Sequence, residues 1–399
     1  MKVPATLTRL AVSLAFSVAA TGAAQAQEEV VIGASIPLSG PLAGFGLYQK
    51  WGYETAIRDV NKAGGLTVDG KKLPVRLVIR DDKTDSNVTA SNTETLISRD
   101  KVTAMLGSCT PVLVNAGALV AERRKFPLVA GCDPLQAFKS VRKWQYAWTI
   151  FFDETDLATA PLRMIADLAL PTNKKVAVMA DNGPDGQLVG GQLWPANAKA
   201  SGFDVVQSTS FPVDTQQFTA MVAQAKSTGA DIVLVNAIPP QAISLRKQLA
   251  ATGFTPKILV MEKGAEPEFF AQATGKLSEG VLVGGYWDPS FPYPGAADLA
   301  KRFESETGQT QSQHIADSYA VAQVLLDAIS AAGSMDREKI NAAIGKTDKP
   351  YVVGPVKFDA HNTSGIPITV MQWQGGKPVV VWPKERANGK LIFPLPQAQ

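Results

Sequence analysis

A chain of 399 residues, 45% hydrophobic and 19% charged, carries enough apolar surface for two cores, since one core rarely grows past ~250–300 residues. Its formal net charge of +3 leaves no strongly basic footprint for nucleic acid or an anionic membrane surface.

The first 26 residues read as an export signal. Lys2 and Arg9 supply a positive start, Leu10 to Ala20 an apolar run, and Ala24-Gln25-Ala26 the small residues at which a signal peptidase cuts. The apolar run of about eleven residues is too short to span a bilayer, which needs ~20. The expectation is a mature protein that starts at Gln27, resides in the periplasm and is not itself embedded in the membrane. Removing Lys2 and Arg9 lowers the net charge from +3 to +1.

The folded part opens with the apolar stretch VVIGASIP, the turn LSGPLAGFG and a helix near 45–63 that closes in AIRDVNKAGG. LTVDGKKLPVRLVIRDD follows as a hairpin with Asp69-Gly70 at its turn. A helix near 86–99 precedes the strand TAMLGS, a helix near 111–124 precedes PLVAG, and residues 146–152 are extended. The alternation then restarts. Helices near 156–169, 186–201, 215–228 and 239–252 are interleaved with the strands KVAVMAD, FDVVQST, DIVLVNA, KILVME and GVLVGGYW. Apolar, β-branched strands separated by helices predict parallel sheets covered on both faces, and two series predict two doubly wound α/β lobes.

The tail has more elements than the second lobe needs. Helices near 295–307, 314–332 and 336–345 precede VVGPVKF, ITVMQWQ and PVVVWP. The simplest accommodation returns the chain to the first lobe for the helices and sends it across again for the last strands. The lobes are thus expected to comprise 27–150 with 286–350, and 151–285 with 351–399. Crossings near 150, 285 and 350 form a three-strand hinge.

Catalytic chemistry has few carriers. His314 and His361 are the two histidines, and neither has the spacing of a metal ligand pair; no Gly-x-Ser-x-Gly nucleophile elbow occurs. Gly65 to Lys71 resembles a phosphate loop, but Lys72 stands where Ser or Thr would hold magnesium, and the segment is a hairpin turn, not a strand-to-helix junction. No catalytic residue, metal site or cofactor is expected. Asp81-Asp82 ends a strand at the edge where α/β ligands bind, while Asp85 at a helix start reads as an N-cap. Cys109 and Cys132 end successive strands. An oxidising compartment favours a disulfide between them if the strands are neighbours, and two buried thiols are the alternative.

Ile36-Pro37-Leu38-Ser39-Gly40-Pro41, Phe45-Gly46 and Ala56 to Gly65 resemble the opening of the leucine/isoleucine/valine-binding protein family of ABC-transporter receptors. Asp81-Asp82, Gly107-Ser108-Cys109-Thr110, Asp185-Gly186, Ser318-Tyr319-Ala320 and Ala331-Ala332-Gly333-Ser334 follow in the family's order. The resemblance spans the mature chain. It implies a type I periplasmic binding fold, with a small ligand held between closing lobes and ABC permease subunits as membrane partners. It also implies ligand-binding positions. These are Phe45 in the first turn, Ser108, Cys109 and Thr110 after one strand, Cys132 and Asp133 after the next, Asp185 and Ile238 opposite, and His314 before Ser318. Glu262 matches a family acid that pairs with a ligand's ammonium group.

Thr110 before Pro111 fits an N-cap and first helical residue, which expose N–H groups to a carboxylate. Two departures mark the far wall: Asp185 replaces the tyrosine common in the family, and Asn236-Ala237-Ile238-Pro239 lacks its aromatic. The leading expectation is a receptor, not an enzyme, for a branched-chain or related small amino acid. An aromatic acid or amide is the rival ligand. A secreted enzyme using Asp133, Asp185 or Glu262, and a sensor that signals to a membrane kinase, are the rivals of other classes.

Overall fold

The computed structural model describes Met1 and residues 28–397; the export-signal reading of residues 1–26 lies outside the described residues. Two large sheets organise the chain. In the first, the spatial order is Thr363–Gly365, Ala147–Phe151, Leu128–Ala130, Ala104–Leu106, Val30–Ile36 and Val75–Asp81, with every pairing parallel. In the second, Lys377–Trp382, Thr369–Gln374, Leu282–Gly285, Ile258–Lys263, Ile232–Ala237, Lys175–Asp181 and Asp204–Phe211 lie side by side. Only the pairings made by Thr369–Gln374 are antiparallel.

Helices on both faces leave strands such as Val30–Ile36 and Ile232–Ala237 buried along their whole length. This is why they read as continuous apolar runs and not as alternating ones. Each sheet reverses its winding at one strand. Val30–Ile36 lies between Val75–Asp81 and Ala104–Leu106, and Lys175–Asp181 lies between Asp204–Phe211 and Ile232–Ala237. The crevice outside the carboxyl ends of such strands is where α/β folds hold ligands.

The helix Ala43–Lys62 packs against Gln313–Ala332. Their approach requires Gly52, because a Cβ there would lie 2.7 Å from the Cβ of Ser318 and 2.9 Å from the Tyr319 nitrogen. Gln313–Ala332 is long and apolar enough to cross a membrane, but 72% of its most apolar window is buried inside the protein. It serves as a core helix, fastened to Ala43–Lys62 by Tyr319, whose hydroxyl donates to Asp59, and Arg302 of the neighbouring helix Ala296–Thr307 donates to the same carboxylate.

Three differences from the sequence expectation have local causes. The last crossing falls between Gly365 and Thr369, not near 350, because Thr363–Gly365 joins the first sheet beside Ala147–Phe151; a three-residue strand is too short to show a period. Leu135–Val141 and Glu268–Thr274 are helices of seven residues each, equally short for periodicity to reveal. The helix expected over 186–201 contains a π-helical turn, Val189–Leu193, just before Pro195. Proline has no N–H for the regular ladder, and π turns are frequent at functional sites.

Candidate functional site

The carboxyl ends of the two sheets meet around a narrow cavity of about 40 Å³. From the first half, Phe45, Thr110, Cys132, Phe151 and Phe152 line it; Asp185, Val189, Asn236, Glu262 and Lys263 line it from the second, and Glu154, Glu266 and His314 complete the ring.

On the first side, two strand-end turns are joined covalently. Cys109 and Cys132 face each other there as a disulfide, their Cα atoms 4.9 Å apart. The N–H of Thr110 also donates to the Cys132 carbonyl at 2.9 Å. Thr110 and Cys132 have φ values of +70° and +57°, and Lys263 across the cavity has +66°. Three non-glycine residues in this sparsely populated region, each costing ~1–3 kcal/mol, persist only where the surroundings over-determine them. Thr110 does not cap the helix Pro111–Arg123 with its side chain, contrary to expectation, while Pro111 does take the first turn. Asp85 caps the helix Ser86–Ser98 as anticipated, accepting from the N–H groups of Asn87 and Val88.

His314 is buried, with Phe45 edge-on to its ring at 4.8 Å. Its Nδ1 lies 2.9 Å from the Tyr286 hydroxyl and 3.6 Å from an Asp317 carboxylate oxygen, and its Nε2 lies 3.2 Å from Glu266. Burial alone would lower its pKa. The hydrogen bonds and charges of Asp317 and Glu266 outweigh that and raise it to about 9, so the imidazole is held as a cation.

The second side is built on charge. Lys263 Nζ lies 2.7 Å from Asp181 and 2.9 Å from Asp185. Burial works against the ammonium, but these two carboxylates hold its pKa above the usual lysine value. Glu262 accepts the Gly284 N–H at 2.9 Å. Burial, and next the charge of Glu266, push its pKa well above the ordinary carboxylate range. Glu154 closes the ring by accepting the N–H groups of Gln136 and Ala137 at 2.7 and 2.8 Å, and its burial raises its pKa to about 7. Asp133 is fully buried, and neither carboxylate oxygen meets a partner. Burial, then Glu154 and Asp185, raise its pKa well above normal.

Among the residues singled out from sequence, Phe45, Thr110, Cys132, Asp185, Glu262 and His314 line this cavity. Asp133 stands behind it, close enough to Glu154 and Asp185 to feel their charges. Ser108 and Cys109 do not line it: the Ser108 hydroxyl donates to Asp82 at 2.7 Å and its carbonyl accepts from Gln49 at 2.7 Å, so this turn is a buried brace. Ile238 faces a neighbouring groove shared with Val112, Val213 and Pro240. Sequence reasoning missed Phe151, Phe152, Glu154, Lys263 and Glu266. The run Glu262-Lys263-Gly264-Ala265-Glu266 just past an apolar strand was the available signal for two of them.

Ligand atoms of Cys132, His314 and Asp317 lie within 4.8 Å of one another. The Cys132 sulfur, however, is spent in the disulfide and offers no thiolate for a metal.

The family model described as "Periplasmic binding protein" matches residues 29–377. The Leu/Ile/Val-binding protein homolog 7 of Brucella melitensis is 27% identical over 409 residues, covering 96% of this chain and 98% of that protein. Among solved structures, a leucine-binding protein from Thermotoga maritima superposes with a TM-score of 0.79 at 22% identity, over 88% of this chain and 98% of its own. A solute-binding protein from R. palustris, in complex with benzoate, gives 0.74 at 18% identity, over 89% of this chain and 96% of its own. These structural likenesses establish the two-sheet fold.

Proposed function

The chain belongs to the periplasmic binding protein family, and from that premise we propose that it is the exported receptor of an ABC importer. It closes its two lobes on a small amino acid and presents the closed form to permease subunits in the membrane. One observation carries the reading: the cavity lies at the carboxyl ends of both sheets, and each half supplies its own share of the lining. A ligand seated there bridges the halves and stabilises the form in which they meet.

Glu262 supports an amine-bearing ligand. A fully buried carboxylate whose pKa burial has raised regains its charge most readily beside a cation. The names of the relatives, leucine-binding and Leu/Ile/Val-binding, point toward amino acids of that kind. The lobes are proposed to divide as 28–152 with 287–366, and as 153–286 with 367–397, with the three passages between the sheets as hinge.

A thermal-shift screen tests the proposal, because a ligand that binds only the folded state raises Tm. Leucine, isoleucine, valine and their relatives are expected to raise it. An amino-acid panel without effect, or chemical conversion of the bound compound, would contradict the amino-acid receptor. Small-angle scattering should record a more compact protein when ligand is added.

A further inference from the structure

We propose that the apolar chain of the bound compound leaves the inner cavity between Thr110 and Lys263 and lies in an outer groove, so that the preferred ligands are α-amino acids with apolar side chains longer than that of leucine. This rests on the receptor reading and adds to it the place and the length of the side chain.

The first ground is space. The inner cavity, at about 40 Å³, is well below the ~150 Å³ of an apolar cavity that takes up one benzene ring. It has room for the polar head of an amino acid and little more. Thr110, Asp185 and Lys263, however, also line a second space, a groove of about 460 Å³, which is the size of an ordinary small-molecule site. These three shared residues mark the passage from one space to the other, and no aromatic ring is among them. The Lys263 ammonium is engaged by Asp181 and Asp185, so what it has left to offer the passage is its apolar stem.

The second ground is the groove's own chemistry. Leu42, Val112 and Leu113 line it from the first half, and Val213, Ile238 and Pro240 from the second. Val112 and Val213 are each 46% exposed, so two large apolar side chains stand in water on opposite walls of one groove. Apolar surface exposed in a concave site marks a ligand that covers it. Lys263, the one cation lining the groove among the described residues, is already matched by its two aspartates. An anionic group therefore has no partner there, and an apolar chain needs none. A chain in the groove touches both halves, as the head does in the inner cavity, and adds to the preference for the form in which they meet.

Calorimetry decides the matter on the mature chain, freed of carried-over compound by unfolding in urea without reductant and refolding. The probes form one homologous series: L-alanine, L-norvaline, L-norleucine and L-2-aminooctanoate. Affinity is expected to rise about fourfold per added methylene through the last member, as burial of each CH₂ dictates. With Val112→Asp and Val213→Asp combined, the gain is expected to fall below about twofold per methylene, because a chain laid beside these carboxylates strips them of water. Val112 is the second residue of its helix, where an aspartate suits the dipole, and a urea unfolding transition checks the fold of the variant.

An affinity maximum at norvaline or norleucine, with 2-aminooctanoate excluded, would overturn the groove subsite and leave the amino-acid receptor standing. A methylene gain untouched by the double variant would place the chain elsewhere and overturn it too. Sedimentation reads the competing occupant: a dimer that the double variant disperses would assign the groove to a second copy of the chain, against the proposal. Binding of no member of the series, nor of leucine, would overturn the amino-acid receptor and the inference with it.

Discussion

The two walls of the cavity are held by different forces. The wall on the first sheet is shaped by a covalent link and aromatic packing: the Cys109–Cys132 bond, two turns at positive φ, and Phe45 set against His314. The wall on the second sheet is shaped by charge, with Lys263 threaded between two aspartates and Glu262 buried beside Glu266. A wall fixed by packing loses stability in proportion to the volume or link removed. A wall fixed by buried charge collapses when one partner goes, because the other is left uncompensated.

The contrast is sharpest at Lys263. Lys263→Met leaves Asp181 and Asp185 buried without their ammonium, and a cost of about 3–5 kcal/mol is expected in urea unfolding. A loss under about 1 kcal/mol would mean that the second wall is not held by charge. His314 tests the join between the walls through pH. Its folded pKa of about 9 lies above the ordinary ~6.5, so its stabilising contribution is complete below pH 6.5 and is lost as pH rises through 9. The size is on the order of 3 kcal/mol by linkage. Glu154, raised to about 7, acts in the same direction at lower pH: its contribution is complete below the usual ~4.3 and fades as pH rises through 7. Unfolding measured from pH 4 to 10 should decline through both windows, and His314→Gln should flatten the upper one.

On the first wall, replacing both cysteines by alanine removes a cross-link between residues 23 apart and is expected to cost about 3 kcal/mol through unfolded-state entropy. Equal stability with and without reducing agent would deny the link its role. The smallest effect is expected at Thr110→Gly. Glycine adopts its φ of +70° without strain, so stability should rise by about 1 kcal/mol. Ligand affinity should meanwhile fall, because the side chain lines the cavity.

Much of the fold was legible because its signals are local. Apolar runs such as Ile232–Ala237 are continuous where a parallel strand is covered on both faces, and Asp69-Gly70 marks a two-residue hairpin at φ +46° and +77°. The expected helices near 86–99, 111–124 and 239–252 correspond to Ser86–Ser98, Pro111–Arg123 and Pro239–Ala251. Elements of three to seven residues escaped, since a period needs length to be seen. The site was legible where motif and turn coincide, at Phe45, Thr110, Asp185 and Glu262. It was not legible at Phe151 and Glu154, which enter the cavity only because the chain crosses between the sheets there.

By itself, then, the amino-acid sequence determined an α/β fold with two series of parallel strands, a chain that crosses between them repeatedly, and the family to which it belongs. The fold follows from hydrophobic period and turn chemistry, which are short-range properties, the crossings from the surplus of elements in the tail, and the family from the resemblance of the motifs. Tertiary structure alone decided which carboxylates share one cavity and which cations they already hold. It brings Asp181, Asp185 and Lys263 to one point from strand ends 82 residues apart, and whether a buried charge is satisfied depends on neighbours in space, which no local pattern encodes.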